Sequence, residues 1–95
     1  MDKTSERYIE TVGRRKTAVA RVRITPSSKT TFVVNGKELE SYFPTTEMQH
    51  TVKQPFAEVA GKFTVSAKIV GGGAHSQSEA LRHGIARALV KHDES

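Results

Sequence analysis

The first residues whose types and spacing could do chemistry form a run of cations that follows a glycine. The run comprises Gly13, Arg14, Arg15, Lys16 and Thr17, and it leads into Arg21 and Arg23. The planar guanidinium of arginine presents a fork of donors that fits two oxygens of one phosphate. Side chains on one face of a strand repeat about every 6.6 Å, so Arg15, Arg21 and Arg23 would form a row on the scale of successive phosphates. The motif therefore predicts a phosphate-binding surface, to which Thr17 adds a hydroxyl.

The distribution of charge along the chain favours the same interpretation. The formal net charge is +5, and residues 11–37 hold seven Lys or Arg and no acid, while all ten acids lie outside this segment. Such segregation produces a positive field on one surface, which attracts polyanions such as nucleic acid or an anionic membrane. A basic face that contacts only water is the other interpretation, and composition alone leaves both open.

Three consecutive glycines form a second candidate, placed between a predicted strand and a predicted helix. Gly71, Gly72 and Gly73 would let the backbone approach an anion at the start of the helix, where N–H groups are unpaired. Gln77 would then offer its amide to sugar or phosphate oxygens of RNA. A flexible connecting turn is the alternative, since the sequence matches neither a Walker loop nor a dinucleotide-binding motif.

The outer face of the last predicted helix is a third candidate. It carries Arg82, His83, Arg87 and Lys91. Gly84 lies in the middle of this helix at a cost of about 1 kcal/mol relative to alanine, which indicates that the sheet or an RNA backbone packs closely there. A solvated face, with Glu79 paired to Arg82 or His83, is equally compatible with the sequence.

Catalysis and metal binding find little support in the sequence. Cysteine is absent, which excludes disulfides and thiolate ligands. No two histidines are spaced as a pair of helical ligands, and no nucleophile–base–acid arrangement is visible. We therefore expect no catalytic residue, no metal, no cofactor, no small-molecule substrate and no contact with a membrane.

The hydropathy pattern predicts one domain at residues 8–95 after a polar leader at residues 1–7. Period-two alternation predicts a strand over residues 14–24, with Ala18, Ala20, Val22 and Ile24 inward. A turn at residues 25–28 and a strand over residues 30–34 would complete a hairpin with it.

The remaining elements follow from turn and helix signals. Asn35-Gly36 predicts a tight turn, residues 37–43 a short helix ended by Pro44, and Thr46 to Gln49 a capping box. A third strand over residues 62–70 and a helix over residues 75–91 complete an α+β domain, in which helices back one face of a small mixed sheet.

Five blocks of this sequence, in the same order, resemble the bacterial-type family of small ribosomal subunit protein nine. They are GRRKTAVARVRI from residue 13, VNGKELESYFP from residue 34, VKQPF from residue 52, GKFTVSAKIVGGG from residue 61 and RHGIARALVK from residue 82. The resemblance runs from about residue 8 to residue 93.

This resemblance implies a two-layer fold like the second domain of small-subunit protein five. It implies a structural, non-enzymatic place in the head of the small ribosomal subunit, in the cytoplasm or an organellar matrix, beside other head proteins and the 3′ major domain of the ribosomal RNA. The RNA-contacting residues that it implies are Arg14, Arg15, Lys16, Arg21, Arg23, Gly71, Gly72, Gly73, Gln77, Arg82, His83 and Arg87.

One departure from the family pattern affects the expected partners. Members of the family usually continue into a basic tail that reaches transfer RNA, whereas here Asp93 and Glu94 occupy the start of that tail and the sequence ends at Ser95. The transfer-RNA contact is therefore not carried over. Alternatives to the ribosomal interpretation are an RNA-binding domain outside the ribosome, a phosphate-binding enzyme of the same fold related to small-molecule kinases, and a module that binds acidic proteins.

Overall fold

A five-stranded mixed sheet, covered on one face by helices, forms the domain in this computed structural model, which describes residues 8–57, 59 and 61–94. The expected leader at residues 1–7 lies outside the described residues. The elements in chain order are β1 (Ile9–Arg15), β2 (Ala18–Pro26), β3 (Thr31–Val34), β4 (Lys37–Glu38), α1 (Leu39–Tyr42), α2 (Thr46–Lys53), a 3₁₀ turn (Gln54–Phe56), β5 (Phe63–Val70) and α3 (Ala74–Glu94). The predicted α+β class, with helices backing a small mixed sheet, is confirmed.

The strand order is β1-β2-β5-β3-β4, so the predicted hairpin between β2 and β3 is wrong. Instead β5 lies between them, antiparallel to β2 and parallel to β3. The nine-residue β2 finds in the eight-residue β5 a longer partner than the four-residue β3 offers. Turn residues after β2 indicate that the strand ends, but they carry no information about which strand later pairs with it.

The predicted single strand over residues 14–24 is also wrong, because the chain reverses within it. Arg15 ends β1, Lys16 and Thr17 form a two-residue turn, and Ala18 begins β2 opposite Arg15. Lys16 adopts a left-handed backbone with φ 57°. Two-residue hairpins usually carry glycine or asparagine at such positions, and Lys16-Thr17 is not a recognisable turn motif.

The core lies between the inner face of the sheet and the helices. The predicted inward residues of β2 are all buried. The alternating apolar residues of β5 and the stripe of α3 are buried as well: Phe63, Val65, Ala67, Ile69, Leu81, Ile85 and Leu89. Gly84 packs against the sheet, where a Cβ atom would lie 2.6 Å from Cγ2 of Val22. Close packing with the sheet, one of the two explanations offered for this glycine, is therefore confirmed.

The cap of α2 lies one residue earlier than predicted. Thr45 is the N-cap, and its hydroxyl accepts a hydrogen bond of 3.2 Å from the backbone N–H of Met48. The amide of Gln49 donates to the carbonyl oxygen of Phe43 at 2.8 Å rather than closing a capping box with Thr46. Both bonds satisfy polar groups at the junction of α1 and α2.

Candidate nucleic-acid interface

The two-residue turn between β1 and β2 packs directly against the glycine turn before α3. Gly71 and Gly72 have φ values of 79° and 68°, which only glycine adopts without strain. A Cβ atom on Gly71 would overlap the carbonyl oxygen of Thr17, and one on Gly72 would lie 3.0 Å from Cβ of Ala18. The fold therefore brings the first two sequence candidates together, and it gives Gly71 and Gly72 a packing role that sequence analysis did not predict.

The hairpin tip, defined as Arg14, Arg15, Lys16 and Thr17, is exposed but does not point in one direction. Arg15 faces the same side of the sheet as Ala18 and forms an ion pair of 2.7 Å with Glu79 of α3. Arg14, one residue earlier, faces the opposite side. The predicted row of Arg15, Arg21 and Arg23 is therefore wrong, because the hairpin turn places Arg15 on the helix side.

Arg21 and Arg23 lie side by side on the face of the sheet that none of the described helices covers, called the open face below. Glu10 of β1 stands between them, with Oε2 at 3.0 Å from Nε of Arg21 and Oε1 at 3.1 Å from Nε of Arg23. The Arg23 guanidinium also lies 4.7 Å from the ring centroid of Tyr8. Glu10 was not predicted as part of this surface, because it lies just outside the acid-free segment and only the β1–β2 register places it opposite Arg23.

Two of the α3 candidates contact the free edge of β1. Arg87 donates a hydrogen bond of 2.7 Å to the carbonyl oxygen of Val12, and Nδ1 of His83 accepts one of 3.4 Å from the backbone N–H of Arg14. Their side chains thus satisfy edge groups that would otherwise need water. Glu79 pairs with Arg15 instead of Arg82 or His83, and Arg82 is exposed.

Gln77 is held within the protein at both ends of its amide. Its Oε1 accepts from the Tyr42 hydroxyl at 2.6 Å, and its Nε2 donates to the carbonyl oxygen of Gly71 at 2.9 Å. Tyr42 in turn accepts from Asn35 at 3.1 Å. This chain of hydrogen bonds anchors the glycine turn, so Gln77 positions the backbone of that turn.

Asn35 has a second role besides the tight turn that Asn35-Gly36 predicts. The turn is confirmed, with φ values of 50° and 80° at the two positions. In addition, the Asn35 side chain accepts from the backbone N–H of Ile69 at 2.8 Å and donates to the Ile69 carbonyl at 3.0 Å. It therefore ties the end of β5, and with it the start of the glycine turn, to the β3–β4 turn.

The chemistry available on these surfaces is that of exposed cations, some ion-paired and some not, that can donate hydrogen bonds. The rings of Phe32, Phe56 and Phe63 pack on one another against the core rather than forming an exposed stacking platform. No group of three or more His, Asp or Glu suited to hold a metal ion occurs in the part of the chain that the structure describes. Nor, over the same residues, is any helix long and apolar enough to cross a bilayer.

The sequence matches the family described as ribosomal protein S9/S16 over residues 13–95. It is 49% identical over 86 residues to small ribosomal subunit protein uS9 of two strains of Porphyromonas gingivalis, a stretch that covers 88% of this chain and 66% of each relative. It is 47% identical over 88 residues to the protein of the same name from Nocardia farcinica, covering 90% of this chain and 52% of that relative. The chain thus spans between half and two thirds of the length of these relatives. The matched residues include β2, β5, α3 and the glycine turn. The chain belongs to the ribosomal protein S9/S16 family.

Proposed function

We propose that this chain is a structural, non-catalytic component of the small ribosomal subunit, which binds the head of the small-subunit ribosomal RNA and contacts neighbouring head proteins. The proposal rests on membership of the ribosomal protein S9/S16 family. It places the chain on ribosomes in the cytoplasm. The transfer-RNA contact of the wider family is not part of the proposal.

The observation that carries the RNA contact is the exposure of two adjacent arginines on the open face. The Arg21 and Arg23 side chains are 64% and 50% exposed, although Glu10 holds both at Nε. An exposed guanidinium presents several further N–H donors, which suit the oxygens of a phosphate. Contacts of this kind fix the position of a folded RNA without reading its bases.

The hairpin tip supplies a second set of contacts in this proposal. Arg14 and Lys16 are exposed and have no ion pair among the described residues, whereas Arg15 shares its charge with Glu79. Thr17 and the exposed Gly73 border the same end of the domain. We assign phosphate contacts to Arg14 and Lys16 ahead of Arg15. The charge of Arg15 is already partly balanced by Glu79, so Arg15 attracts a phosphate less strongly.

The α3 candidates and Gln77 divide into two kinds in the proposed interface. Arg82 is exposed and contacts RNA directly. His83 and Arg87 bind the edge of β1, and Gln77 binds the Gly71 carbonyl, so these three shape the surface and expose only part of their polar groups to RNA.

The test is a titration of the isolated head RNA, and of an unrelated structured RNA of equal length, at several salt concentrations. The double variant Arg21→Ala/Arg23→Ala should bind the head RNA at least tenfold more weakly, with a salt slope reduced by about two. The matched control is Lys29→Ala/Lys62→Ala, which removes two exposed cations elsewhere. Circular dichroism should show the same fold in both. Equal losses in the two double variants, or no preference of the parent chain for head RNA, would contradict the proposal.

A further inference from the structure

A cation on the central strand, Lys68, stands beside the arginines of the open face. Lys68 of β5 lies directly opposite Arg21 of β2, and Ser66 lies opposite Arg23. Side chains at opposed positions of antiparallel strands point to the same face, with Cβ atoms about 5 Å apart. Two positive side chains therefore meet on the open face.

This arrangement opposes folding when no anion is present. Like charges directly across an antiparallel pair are destabilising. Glu10 reaches Arg21 and Arg23, whereas no carboxylate of the described residues lies within ion-pair distance of Lys68. Stability of the fold alone would favour a neutral or acidic residue at position 68, so the lysine points to an anion that comes from outside the domain.

The shape of the open face supports the same inference. Arg21, Arg23, Ser66 and Lys68 line one concavity, bounded on its far side by Val33 and Gly36. Its cations and the Ser66 hydroxyl are donors, while its lining contains no carboxylate and no aromatic ring. Glu10 pairs with the two guanidiniums from the β1 side, opposite to β5, so it lies outside this lining. Donors without stacking surfaces suit a phosphodiester backbone rather than exposed bases.

We propose that this concavity is a binding groove for an RNA phosphodiester backbone, in which Lys68 contacts one phosphate together with Arg21 and Ser66 contacts its neighbour together with Arg23. This inference rests on the proposed function, since it concerns how the open face holds RNA. It adds Lys68 and Ser66 to the interface, and it places the contact on β5 as well as on β2.

The experiment compares Lys68→Gln with Lys62→Gln in the whole chain, titrating head RNA across salt. Lys62 lies six residues before Lys68, about 20 Å along an extended strand. That separation exceeds the screening length of about 8 Å at physiological ionic strength, so the control removes the same charge outside the groove. Lys68→Gln should weaken binding about 5- to 10-fold and lower the salt slope by about one, whereas Lys62→Gln should stay within about twofold. Lys68→Arg keeps the positive charge, so it should bind head RNA as tightly as the parent chain does.

A second readout separates binding from folding. Because Lys68→Gln removes a repulsion, its melting temperature without RNA should equal or exceed that of the parent chain. The groove proposal would be overturned if Lys68→Gln and Lys62→Gln weakened binding equally, or if Lys68→Arg bound as weakly as Lys68→Gln. If the parent chain prefers head RNA and Lys68→Gln binds it normally, only the groove is wrong. If the parent chain shows no preference for head RNA, the proposed function itself fails.

Discussion

Gly13 of β1 and Gly84 of α3 face each other so closely that a Cβ atom built on Gly13 would lie 2.8 Å from Cα of Gly84 and would overlap the Ala80 carbonyl oxygen. The Thr11 hydroxyl donates a hydrogen bond of 2.6 Å to the Gly84 carbonyl at the same crossing. The contact explains both a glycine that opens the basic motif and a glycine in mid-helix. It sets the distance between α3 and the edge strand, and thereby the positions of His83 and Arg87 beside that edge.

Gly13→Ala should therefore lower the free energy of unfolding by about 2–3 kcal/mol, because helix and strand must separate to admit a methyl group. Gly84→Ala should cost less, about 1 kcal/mol, since improved helix propensity offsets part of the clash with Val22. Urea unfolding followed by circular dichroism measures both. A Gly13→Ala variant as stable as the parent chain would show that the crossing tolerates a side chain.

Two of the three glycines before α3, Gly71 and Gly73, should respond differently to substitution. Gly71→Ala combines a positive φ with overlap of the Thr17 carbonyl, so we expect a loss of about 2 kcal/mol or more. A Cβ atom on Gly73 would meet nothing within 4 Å, and Gly73 caps α3, since the backbone N–H of Gln77 donates to its carbonyl oxygen. Gly73→Ser should be neutral or stabilising by a few tenths of a kcal/mol. Equal losses at both positions, measured by thermal unfolding, would argue against this division.

Lys16 gives a way to separate stability from RNA binding. Its left-handed backbone strains a residue with a Cβ atom, so Lys16→Gly should raise the free energy of unfolding by about 0.5–1 kcal/mol. The same change should weaken head-RNA binding and lower the salt slope by about one. Lys16→Ala is the matched control, because it removes the charge and keeps the strain. If Lys16→Gly binds RNA as well as the parent chain, Lys16 is not a phosphate contact.

Glu10 is expected to limit unselective attraction of the open face for RNA. Glu10→Gln keeps the size of the side chain but removes the charge that pairs with Arg21 and Arg23. Because these pairs are partly exposed, the loss of stability should stay below about 1 kcal/mol. Binding to both head RNA and unrelated RNA should tighten, and the ratio of their dissociation constants should fall. An unchanged ratio would show that Glu10 has no part in discrimination.

Within α3 and β5, the sequence alone determined most of the architecture. The buried face of each element follows from the spacing of its apolar residues: alternation over residues 62–70, and the stripe of Leu81, Ile85 and Leu89. Burial of apolar side chains is the dominant force in folding, and this spacing can be recognised within a short segment of sequence. The cations at the hairpin tip and on β2 were also visible in the sequence, since residue type by itself fixes charge and donor geometry.

Only the tertiary structure decided which of those residues act together. The turn at Lys16 lacks the usual turn residues, so its reversal depends on the packing of Gly13 on α3 and of Gly71 on Thr17, both of which are contacts between distant segments. That reversal moves Arg15 to the helix side and places Glu10 beside Arg21 and Arg23. The position of β5 between β2 and β3 brings Lys68 opposite Arg21. Strand order and register are set by long-range pairing, which no local pattern encodes, and they decide which charges share a face.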